Sequence, residues 1–334
     1  MNILLCTGIF PPQIGGPSQY VKNLRDEWQR QGHSVKVLTY KLEKILPTGI
    51  RHLLFFMRTV ASLWKKDFVI ALDTYSVGFP AVLVAKLFGK KVLIRTGGDF
   101  LWESYVERTG DMVLLRKFYE NCLSKFNLKE KIIFRITKWT LRSVSALIFS
   151  SAWQRDIWMP AYSLDEKKCH VVENFYGEKT TSVAPDGKIF VAGSRKLKLK
   201  NTDRLNRAFA QAKESEGGLT LDFSQVEYGK FFEKISHSYA VIAVSISEVS
   251  PNMILDSIRA GKPFIVTREV GIYDRLKNIG IFVDPEDEED IKNKILFLAD
   301  LANYEMYKRK VESFSFTHTW KEICSEIIQI ARHA

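Results

Sequence analysis

Short apolar runs alternate with stretches of helical periodicity along the whole chain. The run "NILLCTGIF" is followed by a loop, "PPQIGGPS", and then by "SQYVKNLRDEWQRQ", which sets Val21, Leu24 and Trp28 at helical spacing. Gly32 ends that helix and "SVKVLTY" resumes as a strand. Strand, loop, helix and strand in this order form the unit from which parallel sheets are built. Further units follow in "FVIALDT" with "VGFPAVLVAKLFG", then "KKVLIRTGGD" and "VSALIFSS". After about residue 174 a second series begins with "GKIFVAGS", "NTDRLNRAFAQAKE", "LTLDFS" and "YGKFFEKISHS". It continues through "YAVIAVSIS", "SPNMILDSIRAG", "KPFIVT" and "IGIFVDP" to the helix "EEDIKNKILFLADL". Two such series predict an α/β protein of two doubly wound, Rossmann-like halves with a cleft between them. Ligands of open α/β sheets bind at the carboxyl ends of strands, so loops that follow strands are where chemistry is expected.

One segment breaks the alternation. Residues 114–142, "LLRKFYENCLSKFNLKEKIIFRITKWTLR", are basic, interleaved with aromatics and amphipathic in a helical reading. Lys125, Lys129, Lys131, Arg135, Lys138 and Arg142 could meet anionic headgroups while Phe126, Phe134 and Trp139 dip into a membrane surface. The competing reading puts the aromatics in the core and leaves the charges as a solvated face.

The length of 334 residues fits about two domains, and 46% hydrophobic with 26% charged residues is ordinary for a globular chain. Cys6, Cys122, Cys169 and Cys324 form no CxxC pair and no zinc-like spacing, which reads as reduced thiols of a cytosolic protein. "MNILLCTGIFPP" lacks a basic n-region and reads as a first strand rather than a signal peptide. The longest apolar candidate, "LLFFMRTVASLW", is interrupted by Arg58 and is too short to span a bilayer. A net charge of +11 favours an anionic partner: nucleic acid, a phosphorylated ligand or an anionic lipid surface. No nucleic-acid motif accompanies that charge, and none of these partners is singled out by it.

Four loops carry candidate chemistry. In "FPPQIGGPS", Gly15 and Gly16 permit close backbone approach before a helix start whose N–H groups suit an anion; the spacing is not a dinucleotide fingerprint, and a plain turn is the simpler reading. In "RTGGDFLWE", Asp99 could accept hydrogen bonds from sugar or nucleotide hydroxyls, or be an ordinary turn residue. In "AGSRKLKLKN", Arg195 and Lys200 can converge on a diphosphate, the first as a fork and the second as a point charge, while Lys196 and Lys198 read as solvated. In "SEVSPNMILDSIRAGKPF", Ser250 suits a helix cap, Pro251 the first helical position and Gly261 the helix end. Glu248 then precedes the helix and Asp256 lies within it, about 7–8 Å along the axis from Pro251. Between them, backbone N–H groups could hold phosphate or sugar oxygens; the alternative is a capping acid and a solvated face.

Together these stretches resemble, in order and over nearly the whole chain, a GT-B fold glycosyltransferase of family 4, the retaining class that uses nucleotide sugars. "FPPQIGGPSQYVKNLRDEWQRQGHSVKVLT" is similar to the family's opening pattern. "ALIFSSAWQRDIW" with "KKCHVVENFYG" resembles the exit from its first domain. "SEVSPNMILDSIRAGKPFIVTREVGIYDRL" is similar to its E-x7-E segment and the loop beyond, and is the most specific of the three. The resemblance implies that Glu248 lies at the donor sugar and Asp256, in place of the second Glu, at the donor ribose. It implies further that Arg195 and Lys200 neutralise the donor diphosphate and act in catalysis. Backbone N–H groups of Asn252, Met253 and Ile254 would line the donor site, with Gly15 and Gly16 near the phosphates. Many members carry a His where Gly97 or Gly98 stands here, which leaves Asp99 as the polar residue of that loop. The implied domains are 1–173 for the acceptor, 174–313 for the donor, and 314–334 as a helix returning to the first domain. The implied partners are a nucleoside-diphosphate sugar and a glycan or lipid-linked acceptor, with no metal, no cofactor and no nucleic acid. The implied setting is cytoplasmic, peripheral to the membrane and in envelope polysaccharide assembly. The rival readings are a GT-B epimerase and a non-catalytic GT-B binding protein.

Overall fold

The structure, a computed structural model, describes residues 1–13, 15–193, 197–223 and 225–334. The chain divides into two compact units, Met1–Leu101 with Ser124–Asn174 and Thr319–Ala334, and Trp102–Leu123 with Phe175–His318. In chain order through residue 174 the elements are β1 (Asn2–Thr7), α1 (Gly16–Arg30), β2 (Ser34–Thr39), α2 (Thr48–Ser62), β3 (Phe68–Ala71), α3 (Gly78–Leu87), β4 (Lys91–Thr96), α4 (Phe100–Thr109), α5 (Leu115–Asn121), α6 (Leu128–Ser143), β5 (Ala146–Phe149), α7 (Ala152–Tyr162) and β6 (Cys169–Val171).

The first unit holds a six-stranded sheet in the order β2-β1-β3-β4-β5-β6, every pairing parallel. All four residues of β3 and of β5 are buried. Strands covered on both faces read as continuous apolar runs rather than as alternation, which is why they are visible in sequence.

The second unit contains β7 (Ile189–Ala192), α8 (Thr202–Ser215), β8 (Thr220–Asp222), α9 (Tyr228–His237), β9 (Ala240–Ala243), α10 (Asn252–Arg259), β10 (Phe264–Thr267), α11 (Tyr273–Leu276), β11 (Ile281–Val283), α12 (Glu288–Ala299) and α13 (Leu301–Ser313). Its sheet runs β11-β10-β9-β7-β8. Successive residues of a strand point to opposite faces, and two cores result. Phe190, Ile242 and Ile265 pack on one side, Val191, Val241 and Phe264 on the other.

Two boundaries differ from the sequence reading. The segment 102–123, expected in the first domain, packs with the second unit: the Leu115 N–H donates to Ser247 Oγ at 3.0 Å and Lys198 Nζ to the Glu107 carbonyl at 3.0 Å. Lys198 is exposed, as expected, and makes this bond from the surface. Residues 314–318 stay with the second unit, where Tyr176 and His318 exchange two backbone hydrogen bonds of 3.0 Å. The last helix, α14 (Trp320–His333), begins after them, with Thr319 and Glu322 forming its capping box. It lies against α1: the Trp28 indole donates to the Cys324 carbonyl at 3.2 Å, and the Tyr20 and Trp320 rings meet edge to face at 5.0 Å. Residues 319–334 group with the first unit.

The basic-aromatic stretch 114–142 is not one helix either. Its α5 belongs to the second unit and its α6 to the first. Phe126 is buried and Phe134 stacks on Tyr162 at 5.1 Å, so these two rings serve the core while Trp139 stays exposed. Among the described residues no helix is long and apolar enough to cross a membrane.

Candidate functional site

In the second unit the first strand, β7, lies between β8 and β9. The chain therefore winds one way from β7 to β8 and the other way from β9 onward. Such a reversal of strand order opens a crevice at the carboxyl ends of the two diverging strands. Lys200 follows β7 and Glu248 follows β9. The structure brings them together there, Lys200 Nζ donating to Glu248 Oε1 at 2.5 Å and Ser245 Oγ donating to the same oxygen at 2.6 Å. Their side chains keep 22% and 15% exposure, so the pair is sheltered yet reachable.

Local structure fixes both partners. Leu199 is buried and its carbonyl accepts from the Ile246 N–H at 2.9 Å. Asn201, left-handed at φ 58, donates from its side-chain amide to the carbonyls of Val244 at 3.1 Å and Pro285 at 2.7 Å. Asn tolerates that conformation better than most residues. Glu248 is bonded on its other side to the loop after β10, its N–H to the Glu269 carbonyl and its carbonyl to the Gly271 N–H, both at 2.8 Å. That loop holds a second acid: Glu269 is buried, its carboxyl pushed up by burial, and Arg116 of α5 pairs with it at 2.7 Å.

Four residues on from Glu248, α10 begins. Its cap is Pro251, not Ser250, because the extended ψ of 103 at Pro251 delays the first helical residue to Asn252. Pro251 has no N–H to offer, and the Ile254 N–H is taken by the Pro251 carbonyl at 3.0 Å. Ile254 is core, and its N–H is already taken within the helix start. Gly261 ends the helix at φ 68, as expected.

Asp256 is not on a solvated face. It is buried, and Tyr228 of α9 donates its hydroxyl to Asp256 Oδ1 at 2.8 Å. Burial raises the carboxyl to about 6, against the opposing effects of Tyr228 and Arg259.

Of the other predicted site residues, Gly15, Gly16 and Asp99 belong to the first unit. Arg195 falls outside the described residues. Gly15 caps α1 at φ 145 and ψ 154, a conformation open to glycine, and Gly16 is the first helical residue, with no side-chain cap on that helix start. Asp99 is corrected: it is 1% exposed, and the Trp158 indole donates to its Oδ2 at 2.8 Å, which makes it an interior acid of the first unit rather than a surface for sugar hydroxyls. Beside it, a Cβ at Gly97 would stand 3.2 Å from Arg95 Nη1 and 3.5 Å from Ser150 Oγ, so the loop has no room for a larger residue at 97 without shifting Arg95. Among the described residues no group of three or more His, Cys, Asp or Glu could hold a metal ion.

Sequence reasoning missed Ser245, Tyr228, Glu269 and Arg116. Ser245 stands three residues before Glu248, a spacing that could have been noticed. The other three are brought in by the fold alone.

Residues 14–176 match the family described as Glycosyltransferase Family 4. No curated protein matches the chain. Among solved structures it is similar to the sucrose-phosphate synthase of Thermosynechococcus elongatus, at 13% identity and TM-score 0.74, covering 100% of this chain and 99% of that one. It is similar to Anabaena HepE in complex with UDP, at 12% identity and TM-score 0.69, with 100% of both chains covered. It is also similar to WaaG, a glycosyltransferase involved in lipopolysaccharide biosynthesis, at 11% identity and TM-score 0.68, covering 99% of this chain and 100% of that one. At such identities the likeness is one of fold, two Rossmann-like sheets of the GT-B kind.

Proposed function

We propose, from the match of residues 14–176 to the family described as Glycosyltransferase Family 4, that the chain transfers a sugar from a nucleoside-diphosphate sugar to a hydroxyl of a glycan or lipid-linked acceptor, with retention at the anomeric carbon. The observation that carries this reading is the Lys200–Glu248 pair at the strand-order reversal of the second unit, four residues ahead of the start of α10. A cation, a carboxylate and a helix N-terminus there suit the diphosphate and the sugar of one extended ligand.

In the proposed step the bond from the anomeric carbon to the donor phosphate oxygen breaks, and its electron pair leaves with the diphosphate. Lys200 offsets that charge, together with Arg195, as a fixed cation already in place. The acceptor oxygen bonds to the anomeric carbon, and its proton passes to the departing phosphate oxygen. Glu248 accepts hydrogen bonds from the donor sugar, with Ser245 holding its orientation. The N–H groups of Asn252 and Met253 receive the sugar or phosphate oxygens. Asp256 serves the ribose with its carboxyl held by Tyr228. No metal or cofactor has a part in this scheme.

Calorimetry against UDP, GDP and ADP, followed by their glucose conjugates, tests the reading. UDP is the nucleotide to try first, since the HepE structure is a complex with it. Binding of one nucleoside diphosphate, weakened by Lys200→Ala, is the expected result. A further gain from the attached sugar should vanish in Glu248→Ala. Binding unaffected by either change would remove the site from this crevice, and no binding to any nucleotide would leave a scaffold without a donor.

A further inference from the structure

Arg95 is a cation in the interior of the first unit. It stands one residue before the end of β4 and is 8% exposed, and no acid pairs with it among the described residues. Its guanidinium lies over the Tyr20 ring at 3.7 Å, and its Nη2 donates to Asn174 Oδ1. A guanidinium carries five N–H donors in a planar fork. Here Nε is buried without a partner, and Nη1 makes no hydrogen bond within the protein. A buried charge with no opposite charge beside it is costly to keep, and stacking on Tyr20 alone would not require one.

The neighbouring loop gives an anion its approach. Gly97 is exposed, and a Cβ there would stand 3.2 Å from Arg95 Nη1 and 3.5 Å from Ser150 Oγ. With only hydrogen on that face, a ligand oxygen can come from solvent over Gly97 to both donors. Ser150 directly follows β5, is fully buried, and its hydroxyl has no partner. Since β4 and β5 pair in parallel, Arg95 and Ser150 both lie at carboxyl ends of strands, the edge where open α/β sheets take ligands. The loop is held from behind, because the Gly98 carbonyl accepts from Gln154 Nε2 at 2.8 Å and from Thr96 Oγ1 at 2.9 Å. The acid of this loop, Asp99, is buried and accepts from the Trp158 indole, so it does not neutralise Arg95.

A ring stands close to that approach. Phe100, three residues on from Gly97 and so within about 10 Å of it along the chain, is 48% exposed at the start of α4. Tyr75 stacks on it at 6.1 Å and 9°, which fixes the ring from the inner side. Few precise polar groups beside an aromatic face are what a small polar ligand with an apolar face needs, and a sugar ring is such a ligand.

We propose that Arg95 Nη1 and Ser150 Oγ, reached over Gly97, bind the anionic group of an acidic sugar, a carboxylate or a phosphate, with Phe100 beside the ring. The sequence analysis gives this unit to the acceptor, so on the proposed transfer reaction the acceptor is a sugar that carries an acid. That assignment rests on the transfer reading, whereas the binding site stands without it.

The experiment is calorimetric titration of the full chain, at one ionic strength, with glucuronate, glucose 6-phosphate, glucose and inorganic phosphate. At least one of the two acid sugars should bind, and glucose about tenfold more weakly or less. The tighter of the two acids names the anion. Arg95→Gln should weaken acid-sugar binding by about 10–100-fold. Gly97→Ala removes no contact of the fold and closes the approach to Nη1, so it should weaken binding about tenfold or more. Circular dichroism of each variant checks folding, and Gly97→Ala decides the matter if Arg95→Gln does not fold. Absence of binding by both acids, glucose bound as tightly as they are, inorganic phosphate bound as tightly as glucose 6-phosphate, or full affinity kept by Gly97→Ala overturns the proposal. So does binding lost in Lys200→Ala and kept in Arg95→Gln, which would put the acid in the crevice of the second unit. These titrations use no donor, so a chain that binds the acid sugar and transfers nothing would sink the proposed reaction and leave this site in place.

Discussion

Tyr228 donates its hydroxyl to the buried carboxyl of Asp256 at 2.8 Å, so the second acid of the site is held from α9, an element its own helix gives no hint of. The carboxyl sits at about 6 in the folded protein against an ordinary 3.8. The native state therefore keeps its proton more tightly than the unfolded chain does. Stability is therefore fullest below about pH 4 and is lost as pH rises through about 6, by up to about 3 kcal/mol from this group alone. Asp256→Asn should flatten that part of the profile. Tyr228→Phe should cost more at pH 7 than at pH 5, about 1.5–3 kcal/mol at the higher value, because a charged carboxylate loses its donor there. Urea unfolding of the three proteins between pH 4 and 7 checks this. Parallel wild-type and Asp256→Asn profiles would refute it.

Lys200 and Glu248 stand in contact although they are 48 residues apart in sequence. If Lys200 offsets charge on a departing diphosphate, Lys200→Ala should lower kcat by about 10²–10³. Lys200→Arg should recover part of that loss. Glu248→Gln keeps the shape and an acceptor oxygen, so it should raise the KM for the donor sugar more than it weakens binding of the bare nucleoside diphosphate. Steady-state kinetics beside nucleotide calorimetry separates the two. Equal loss for sugar and bare nucleotide would move Glu248 away from the sugar.

The strands were legible because parallel strands buried on both faces must be apolar throughout, as "FVIA" and "ALIF" are. Lys200, Glu248 and Gly261 were legible one by one, since each sits in a loop after a strand or at a helix end. Their partners were not. Tyr228 looks like an ordinary aromatic of an amphipathic helix, and nothing in "YGKFFEKISHS" shows that its first residue reaches α10. The place of α5 was hidden for the same reason: basic and aromatic composition states that a face is needed, not which sheet supplies it. Asp99 misled because Gly-Gly-Asp signals a turn and says nothing of Trp158, which arrives from α7.

The Trp158–Asp99 bond gives a test of that correction. Trp158→Phe removes one donor to a carboxylate that is 1% exposed and should cost about 1–3 kcal/mol of stability. Nucleotide-sugar affinity, measured well below the transition temperature, should stay within about twofold of wild type, since an interior acid does not touch the donor. Calorimetric unfolding and donor titration on the same sample decide it. A large fall in donor affinity with unchanged stability would return Asp99 to the ligand surface.

Arg116 reaches from α5 to Glu269, and half of its side chain is exposed while the acid is 4% exposed. The pair ties the segment 102–123 to the loop that also backs Glu248, since the Glu269 carbonyl accepts the Glu248 N–H. Removing Arg116 leaves a buried carboxyl whose pKa burial already raises, with its main opposing charge gone. Arg116→Ala should therefore cost about 2–3 kcal/mol at pH 7, less than a fully buried pair because solvent screens the arginine. The loss should shrink as pH falls, because burial already favours the protonated acid. Arg116→Ala with Glu269→Gln should recover most of it, because the double variant buries no unpaired charge. If α5 is held mainly by this pair, proteolysis within 109–114 should quicken in Arg116→Ala and return to wild-type rates in the double variant. An unchanged cleavage rate in the single variant would assign the hold to the apolar side of α5, where Leu115 and Phe118 are buried.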